Sequence, residues 1–226
     1  IILSEGFINL DASLFYTYFT NKIVGDFLTD PNKIIYDNLD GYAISRGLTV
    51  NSDLALANSF KMITGFTWMD VFQVQQTETG KSKLPQVQAP RFSGTFTISY
   101  TVSKPAVTFD LTGRVYGPMH LPVVENDFRP AMSPWFGILN FQVSKSFHSN
   151  LEVYAGVKNL LNFIPQDPLL HPDDPFDRPG GKYFDANGNP RPDTNPYGYT
   201  FDTTYNYAQL QGAKVQAGIR WTIEKK

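Results

Sequence analysis

The sequence contains no cysteine. That excludes a disulfide scaffold, a thiolate zinc site and a cysteine nucleophile. Charge is sparse: charged residues make up 18% of the chain, against about 25% in ordinary globular domains. Neither sign dominates, with 19 Lys and Arg against 21 Asp and Glu. That balance argues against a nucleic-acid partner, which usually demands a basic excess. No run of about 18 apolar residues exists to form a transmembrane helix. The chain opens Ile1-Ile2-Leu3-Ser4-Glu5-Gly6, without Met, a basic stretch or a signal-peptide pattern. It reads as a piece of something longer. What abounds is aromatic, with 18 Phe and 12 Tyr in 226 residues, and aromatic side chains suit strands.

The hydropathy period is two almost throughout, which is the strand period. From Phe92 to Val102, Phe92, Gly94, Phe96, Ile98, Tyr100 and Val102 alternate with Ser93, Thr95, Thr97, Ser99 and Thr101. Val215, Ala217, Ile219 and Trp221 alternate with Lys214, Gln216, Gly218 and Arg220. The pattern predicts an all-β fold of about eight long antiparallel strands. Their expected spans are 6–28, 34–57, 60–75, 90–102, 106–116, 134–146, 150–162 and 209–223. Asp70 falls on the apolar side of its segment, which suggests a register shift there.

The expected links alternate between tight and long. Asn58-Ser59, Ser103-Lys104-Pro105 and Phe147-His148-Ser149 are tight, and His148 reads as a polar turn residue. The others, about 29–33, 76–89, 117–133 and 163–208, are longer. In an up-and-down meander this puts short turns at one rim and long loops at the other. Outer-membrane barrels share that asymmetry. Several strands also reach the roughly 9–11 residues that a tilted strand needs to cross a bilayer. The polar set, including Asp110, Arg114, Glu152, Lys158 and Arg220, would then face the lumen. The reading is a transmembrane barrel segment, with the C-terminus on the short-turn, periplasmic side. The rivals are a free-standing eight-stranded outer-membrane barrel acting as an anchor or adhesin, and a soluble secreted β-protein that binds glycans.

Several segments carry a resemblance. Tyr154-Ala155-Gly156-Val157-Lys158-Asn159-Leu160-Leu161-Asn162-Phe163 resembles the penultimate strand of TonB-dependent outer-membrane receptors, with Leu161 where a Phe is usual. Ser45-Arg46-Gly47-Leu48-Thr49-Val50 resembles an earlier strand of that family, without its customary Glu. Ser13-Leu14-Phe15-Tyr16 with Asn21-Lys22-Ile23, and the stretch Ala89-Pro90-Arg91-Phe92, are similar too. The loop from Asp173 to Tyr207 looks like receptors of this type from the Bacteroidetes lineage. The resemblance implies the last strands of a 22-stranded barrel, with residues 1–226 inside one barrel domain. A separate N-terminal plug would fill the lumen and receive the pull of TonB. The implied function is uptake of a ferric siderophore or similar metal chelate across the bacterial outer membrane. No cofactor and no bond chemistry are implied; the partners are the plug, the TonB system, outer-membrane lipid or lipopolysaccharide, and the chelate. Asp110, Arg114, Glu152, Lys158 and Arg220 would hold the plug and keep the lumen wet.

Candidate sites fall in the long loops. Residues 163–208 hold eight of the 16 prolines and seven aspartates, against three Lys and Arg. Loops beyond about 12–15 residues are usually functional or disordered. Asp185, Asn187, Asn189 and Asp193 offer alternate oxygen ligands of the kind Ca²⁺ takes; the competing reading is a plain Asn-Gly turn. His120, Arg129, His171, Tyr183, Arg191, Tyr197 and Tyr199 are the substrate-binding candidates, because aromatics with cations suit an anionic, ring-bearing chelate. No nucleophile elbow, phosphate loop or paired-histidine metal motif is present to support an enzyme.

Overall fold

The computed structural model describes residues 2–3, 6–26, 35–56, 59–77, 80–124, 126–147 and 150–223. His148 and Asn58 lie outside these. The fold is all-β, with twelve strands among the described residues: β1 (Ile2–Leu3), β2 (Gly6–Phe19), β3 (Ile23–Asp26), β4 (Ile35–Asn38), β5 (Gly41–Leu56), β6 (Phe60–Thr77), β7 (Gly80–Pro85), β8 (Phe92–Val102), β9 (Val107–Tyr116), β10 (Phe136–Phe147), β11 (Leu151–Lys158) and β12 (Lys214–Trp221). Nine of them form one antiparallel path in sequence order, β1-β2-β5-β6-β8-β9-β10-β11-β12. β7 pairs the far end of β6, and β3 pairs β4 in a separate ladder. Among the described residues the path does not return from β12 to β1 or β2. It is an open wall, the arrangement expected of a partial barrel.

The eight expected strands are all present, with shifted ends. The first two stop short. β2 ends at Phe19, and β3–β4 make their own hairpin, tied back where Leu39 N–H donates to Lys22 C=O at 2.8 Å. The link expected over 76–89 contains β7, which zips onto β6 from Phe72 to Thr77. β11 stops at Lys158 because Asn159 turns left-handed, at φ +50°. No register shift occurs at Asp70. β6 stays in step with β5 from Phe60 to Gln75, and Asp70 lies opposite Arg46. Their ion pair, 3.0 Å from Nη2 to Oδ2, accounts for a carboxylate on the apolar face.

Register sorts the side chains into two faces, because successive residues point to opposite sides. One row runs Leu14, Leu48, Trp68 and Phe92 across four strands. Another runs Met62, Ile98, Leu111, Phe141, Val157 and Val215 across six. These apolar side chains are not a buried centre: Leu14 is 84% exposed and Val215 83%. The opposite face carries Asp110, Arg114, Glu152, Lys158, Lys214 and Arg220. It is laced by cross-strand contacts, including Ser99 with Asp110, Asn140 Nδ2 to Thr112 at 3.2 Å, and Arg220 to Glu152 at 2.9 Å. Three glycines are covered by a ring from the neighbouring strand: Gly47 by Phe15, Gly113 by Phe96 and Gly218 by Tyr154. A Cβ at Gly113 would collide with the Phe96 ring. Such ring-on-glycine pairs shield bare backbone and fix register.

The main buried cluster sits where the loops meet the end of the sheet. Met119, Leu121, Phe136 and Tyr205 form its centre, with Tyr116, Val123, Phe163 and Tyr207 packed around them. Two crossings meet there: residues 117–135, between β9 and β10, and residues 159–213, between β11 and β12. Both lie at the long-link rim, so the polar face is roofed at that end.

Candidate functional site

Beneath this roof, on the polar face, lies a cavity of about 620 Å³. Its floor is Arg114 of β9, Ile138 and Asn140 of β10, and Lys158 at the end of β11. Tyr207, Asn206 and Gln209 close it from the long loop. Strand alternation aims Arg114 and Lys158 inward, two strands apart. Neither has a carboxylate partner among the described residues. The cavity therefore presents two unneutralised cations beside the rings of Tyr116, Phe136 and Tyr207. Asp110, Glu152 and Arg220, the other inward candidates, sit closer to the short-turn rim. Asp110 accepts from Ser99, and Glu152 pairs with Arg220, so their charge is already engaged.

The roof is built by side chains that replace missing strand hydrogen bonds. Asn159 is 1% exposed and makes four of them. Its N–H donates to Asn140 Oδ1 at 3.0 Å, its amide donates to Phe163 O at 2.8 Å and Gln211 O at 3.2 Å, and its Oδ1 accepts from Phe163 N–H at 3.0 Å. Asn195 repeats the device one loop further on. Its Oδ1 accepts from Tyr199 N–H and its amide donates to Tyr199 C=O, both at 2.8 Å. In each case an asparagine closes a five-residue turn on the residue four positions later. Neither is among the candidates that residue type suggests, although Asn159 lies inside the strand motif Tyr154–Phe163. The legible signal is the shared spacing of Asn159 to Phe163 and Asn195 to Tyr199, both Asn-x-x-x-aromatic.

Arg129 is the bolt between the two crossings. It is 4% exposed. Its guanidinium reaches Asp127 Oδ2 at 2.7 Å and Asp202 Oδ2 at 3.5 Å, and lies 4.1 Å over the Tyr205 ring. Tyr205 O–H donates to Pro130 C=O at 2.8 Å. Burial would raise the Asp127 carboxyl, but hydrogen bonds from Arg129 outweigh it and hold the group below the usual carboxylate range.

Four other candidates come together as a ladder of rings. His171 stacks on Tyr183 at 3.6 Å, Tyr199 meets the edge of His171 at 6.5 Å, and Tyr197 lies 5.7 Å from Tyr199. Burial lowers the His171 pKa, although Asp177 and Asp173 pull the other way. Tyr183 O–H donates to Asp173 at 2.6 Å; that bond, with one from Lys182, drops the Asp173 carboxyl to about 2. Tyr199 O–H is engaged by Asn126 C=O. Tyr197 is 62% exposed and presents its ring outward. Arg191 is turned inward, donating to the carbonyls of Gly181 and Phe184 at 3.0 and 3.2 Å. His120 stays exposed at the rim, bridged to Met132.

The stretch considered for Ca²⁺ is a tight turn. Asp185 Oδ1 accepts the N–H groups of Asn187 and Asn189, each at 2.8 Å, and Gly188 takes φ +80°. The bonds from Asn189 lower the Asp185 pKa. Among the described residues no group of three His, Asp or Glu side chains is placed to hold a metal ion, and Asp193 joins no such group.

A family model described as "TonB dependent receptor-like, beta-barrel" matches residues 1–160. No curated protein matches the sequence. Among solved structures, the ferric-catecholate import receptor Fiu from E. coli K12 is similar at TM-score 0.56 and 15% identity, over 94% of this chain and 25% of its own. The copper transporter OprC is similar at 0.55 and 13%, over 96% of this chain and 29% of its own. The ferripyoverdine receptor of the outer membrane of Pseudomonas aeruginosa is similar at 0.52 and 15%, over 69% and 21%. The chain spans about a quarter of the length of these structures.

Proposed function

We propose that this chain, which belongs to the TonB dependent receptor β-barrel family, is wall and loop roof of an outer-membrane transporter for a ferric siderophore or similar metal chelate. The fold neighbours are receptors and transporters of iron chelates and copper. The observation that carries the reading is the cavity under the roof, where Arg114 and Lys158 face the interior unpaired beside aromatic rings. An anionic, ring-bearing chelate complements that surface, because unpaired cations attract its charge and ring faces stack on its rings.

On this reading the apolar face meets lipid and the polar face meets the lumen. The long-link rim is extracellular, and the chain ends on the periplasmic side. A plug elsewhere in the receptor would lie against Asp110, Glu152 and Arg220. The TonB system would pull on that plug, and Arg114 and Lys158 would meet first the chelate and then the vacated lumen. Tyr197 and His120, exposed on the roof and rim, are the outermost contacts offered to a chelate.

The test is growth of a receptor-deletion strain on defined ferric siderophores, complemented with the complete receptor. At least one chelate should support growth only through the receptor. Arg114→Glu with Lys158→Glu should cut uptake of that chelate by about tenfold while outer-membrane receptor levels hold. Unchanged uptake with both cations reversed would contradict the assignment of this cavity.

A further inference from the structure

Lys158 of β11 stands directly opposite Lys214 of β12, on the polar face. Opposed residues share a face with Cβ atoms about 4.5–5.5 Å apart, and like charges there weaken the pairing. The surrounding face offers no relief. Gln142 and Gln216, the next step down β10 and β12, bond each other at 3.3 Å. Asp110 engages Ser99, and Glu152, at the far end of β11, is taken by Arg220. Lys214 Nζ donates to Gln211 Oε1, a neutral acceptor. The Gln211 carbonyl in turn accepts from the Asn159 amide at 3.2 Å. Lys214 is therefore tied to the foot of the roof with its charge intact. Arg114, on the cavity floor two strands from Lys158, adds a third cation. None of the three has a carboxylate partner among the described residues.

An anion seated at the lysine pair gains twice, by attraction and by the repulsion it removes. The adjoining cavity, of about 620 Å³, falls within the roughly 300–1,000 Å³ of small-molecule sites. Tyr116, Phe136 and Tyr207 cluster on it, with centroids 5.0 and 5.3 Å apart. We propose that Lys214 is a charge-selecting residue of this site, and that the site takes a triply negative ferric tris-catecholate in preference to a neutral ferric tris-hydroxamate. The charges follow from the ligands. Three doubly charged catecholates over-neutralise Fe³⁺, whereas three singly charged hydroxamates just balance it. Catechol rings also stack on the three aromatic side chains; hydroxamates bring no ring. The inference rests on the chelate reading above and adds the class of chelate, and its test separates the two.

The complete receptor in detergent is titrated with radio-iron complexes of a tripodal tris-catecholate and of the tris-hydroxamate on the same tripod. Wild type should hold the catecholate at least tenfold tighter, and added salt should erode that advantage. Lys214→Gln should weaken the catecholate about fivefold and leave the hydroxamate unchanged. Lys214→Arg should keep wild-type affinity, as should Lys61→Gln, a control on β6. Equal affinity of wild type for the two complexes would overturn the proposal and leave the chelate reading standing. So would a loss in Lys214→Gln that falls equally on both complexes, the mark of structural damage. An unchanged catecholate affinity in Lys214→Gln would overturn it too; a lowered unfolding temperature in that variant would then mean that a carboxylate elsewhere in the receptor answers the pair. Binding of neither complex would also overturn it, and the growth test above would then decide the chelate reading alone.

Discussion

The wall and its roof are held together in opposite ways. In the wall, backbone ladders satisfy the peptide groups of the strands that have neighbours on both sides, and side chains merely choose a face. In the roof, residues 159–213 contain no strand, and side chains must do what ladders do elsewhere. Asn159, Asn195, Asp185 and Arg129 supply those bonds, and a small apolar core around Tyr205 seals them. The lesson concerns fragility. One side chain removed from the wall leaves its ladder intact; one removed from the roof orphans buried backbone or charge.

The largest effect is expected at Arg129. Arg129→Met strands the Asp127 carboxylate, whose side chain is 2% exposed. Breaking a buried pair from one side costs about 3–5 kcal/mol. The two crossings should separate, seen as rapid proteolysis between residues 163 and 208 while the barrel still resists. Next comes Asn159→Ala, which abandons buried carbonyls and an N–H at a left-handed position. A loss of about 2–4 kcal/mol is expected, read as faster hydrogen exchange in residues 159–163 and 211–213. Asn159→Gly should recover the backbone conformation but not the bonds, and so only part of the loss.

In the wall, Gly113→Val drives a side chain into the Phe96 ring. Overpacking of this kind costs about 1–3 kcal/mol. It should lower the unfolding temperature in detergent yet leave roof proteolysis unchanged; equal damage to both regions would erase the distinction. The smallest effect is that of pH on the ring ladder. Burial favours the neutral form of His171, so its folded pKa lies below its unfolded value of about 6.5. Its contribution is full above that value and fades as pH falls below it. Asp173 is depressed to about 2, so its link to Tyr183 is intact above about 4 and is lost as pH falls through about 2. Hydrogen-exchange protection across residues 171–199, corrected for the intrinsic slowing of exchange in acid, should therefore fall from pH 7 to pH 5. His171→Gln should flatten that fall, while Asp173→Asn should lower protection evenly over the same window.

The same contrast explains what could be read from the sequence. Strand period is a backbone property written into every second residue, so Phe92 to Val102 declared its faces at once. Asp70 looked like a register slip only because its partner, Arg46, is 24 residues away and becomes visible through pairing. The ends of β2 and β11 were overrun because alternation persists past the point where Phe19 and Lys158 stop the ladder. In the roof, residue type misled. Arg129, Arg191 and His171 carry the right chemistry for a chelate, yet their side chains are turned to protein partners. Arg114 and Lys158, read from the start as wall residues, are without a carboxylate partner among the described residues, and only the three-dimensional roof gathers these two into a cavity.

The claim under everything else is that alternate residues of each strand meet lipid and lumen. Single cysteines placed along β8 from Phe92 to Val102 test it, in the complete receptor in outer-membrane vesicles with any cysteine outside this cysteine-free chain replaced by serine. With a water-soluble maleimide and a bilayer-embedded spin-label quencher, Ser93, Thr95, Thr97, Ser99 and Thr101 should react with the former. Gly94, Phe96, Ile98 and Tyr100 should respond to the latter. Uniform water reactivity along the strand, or the opposite phase, would contradict the account.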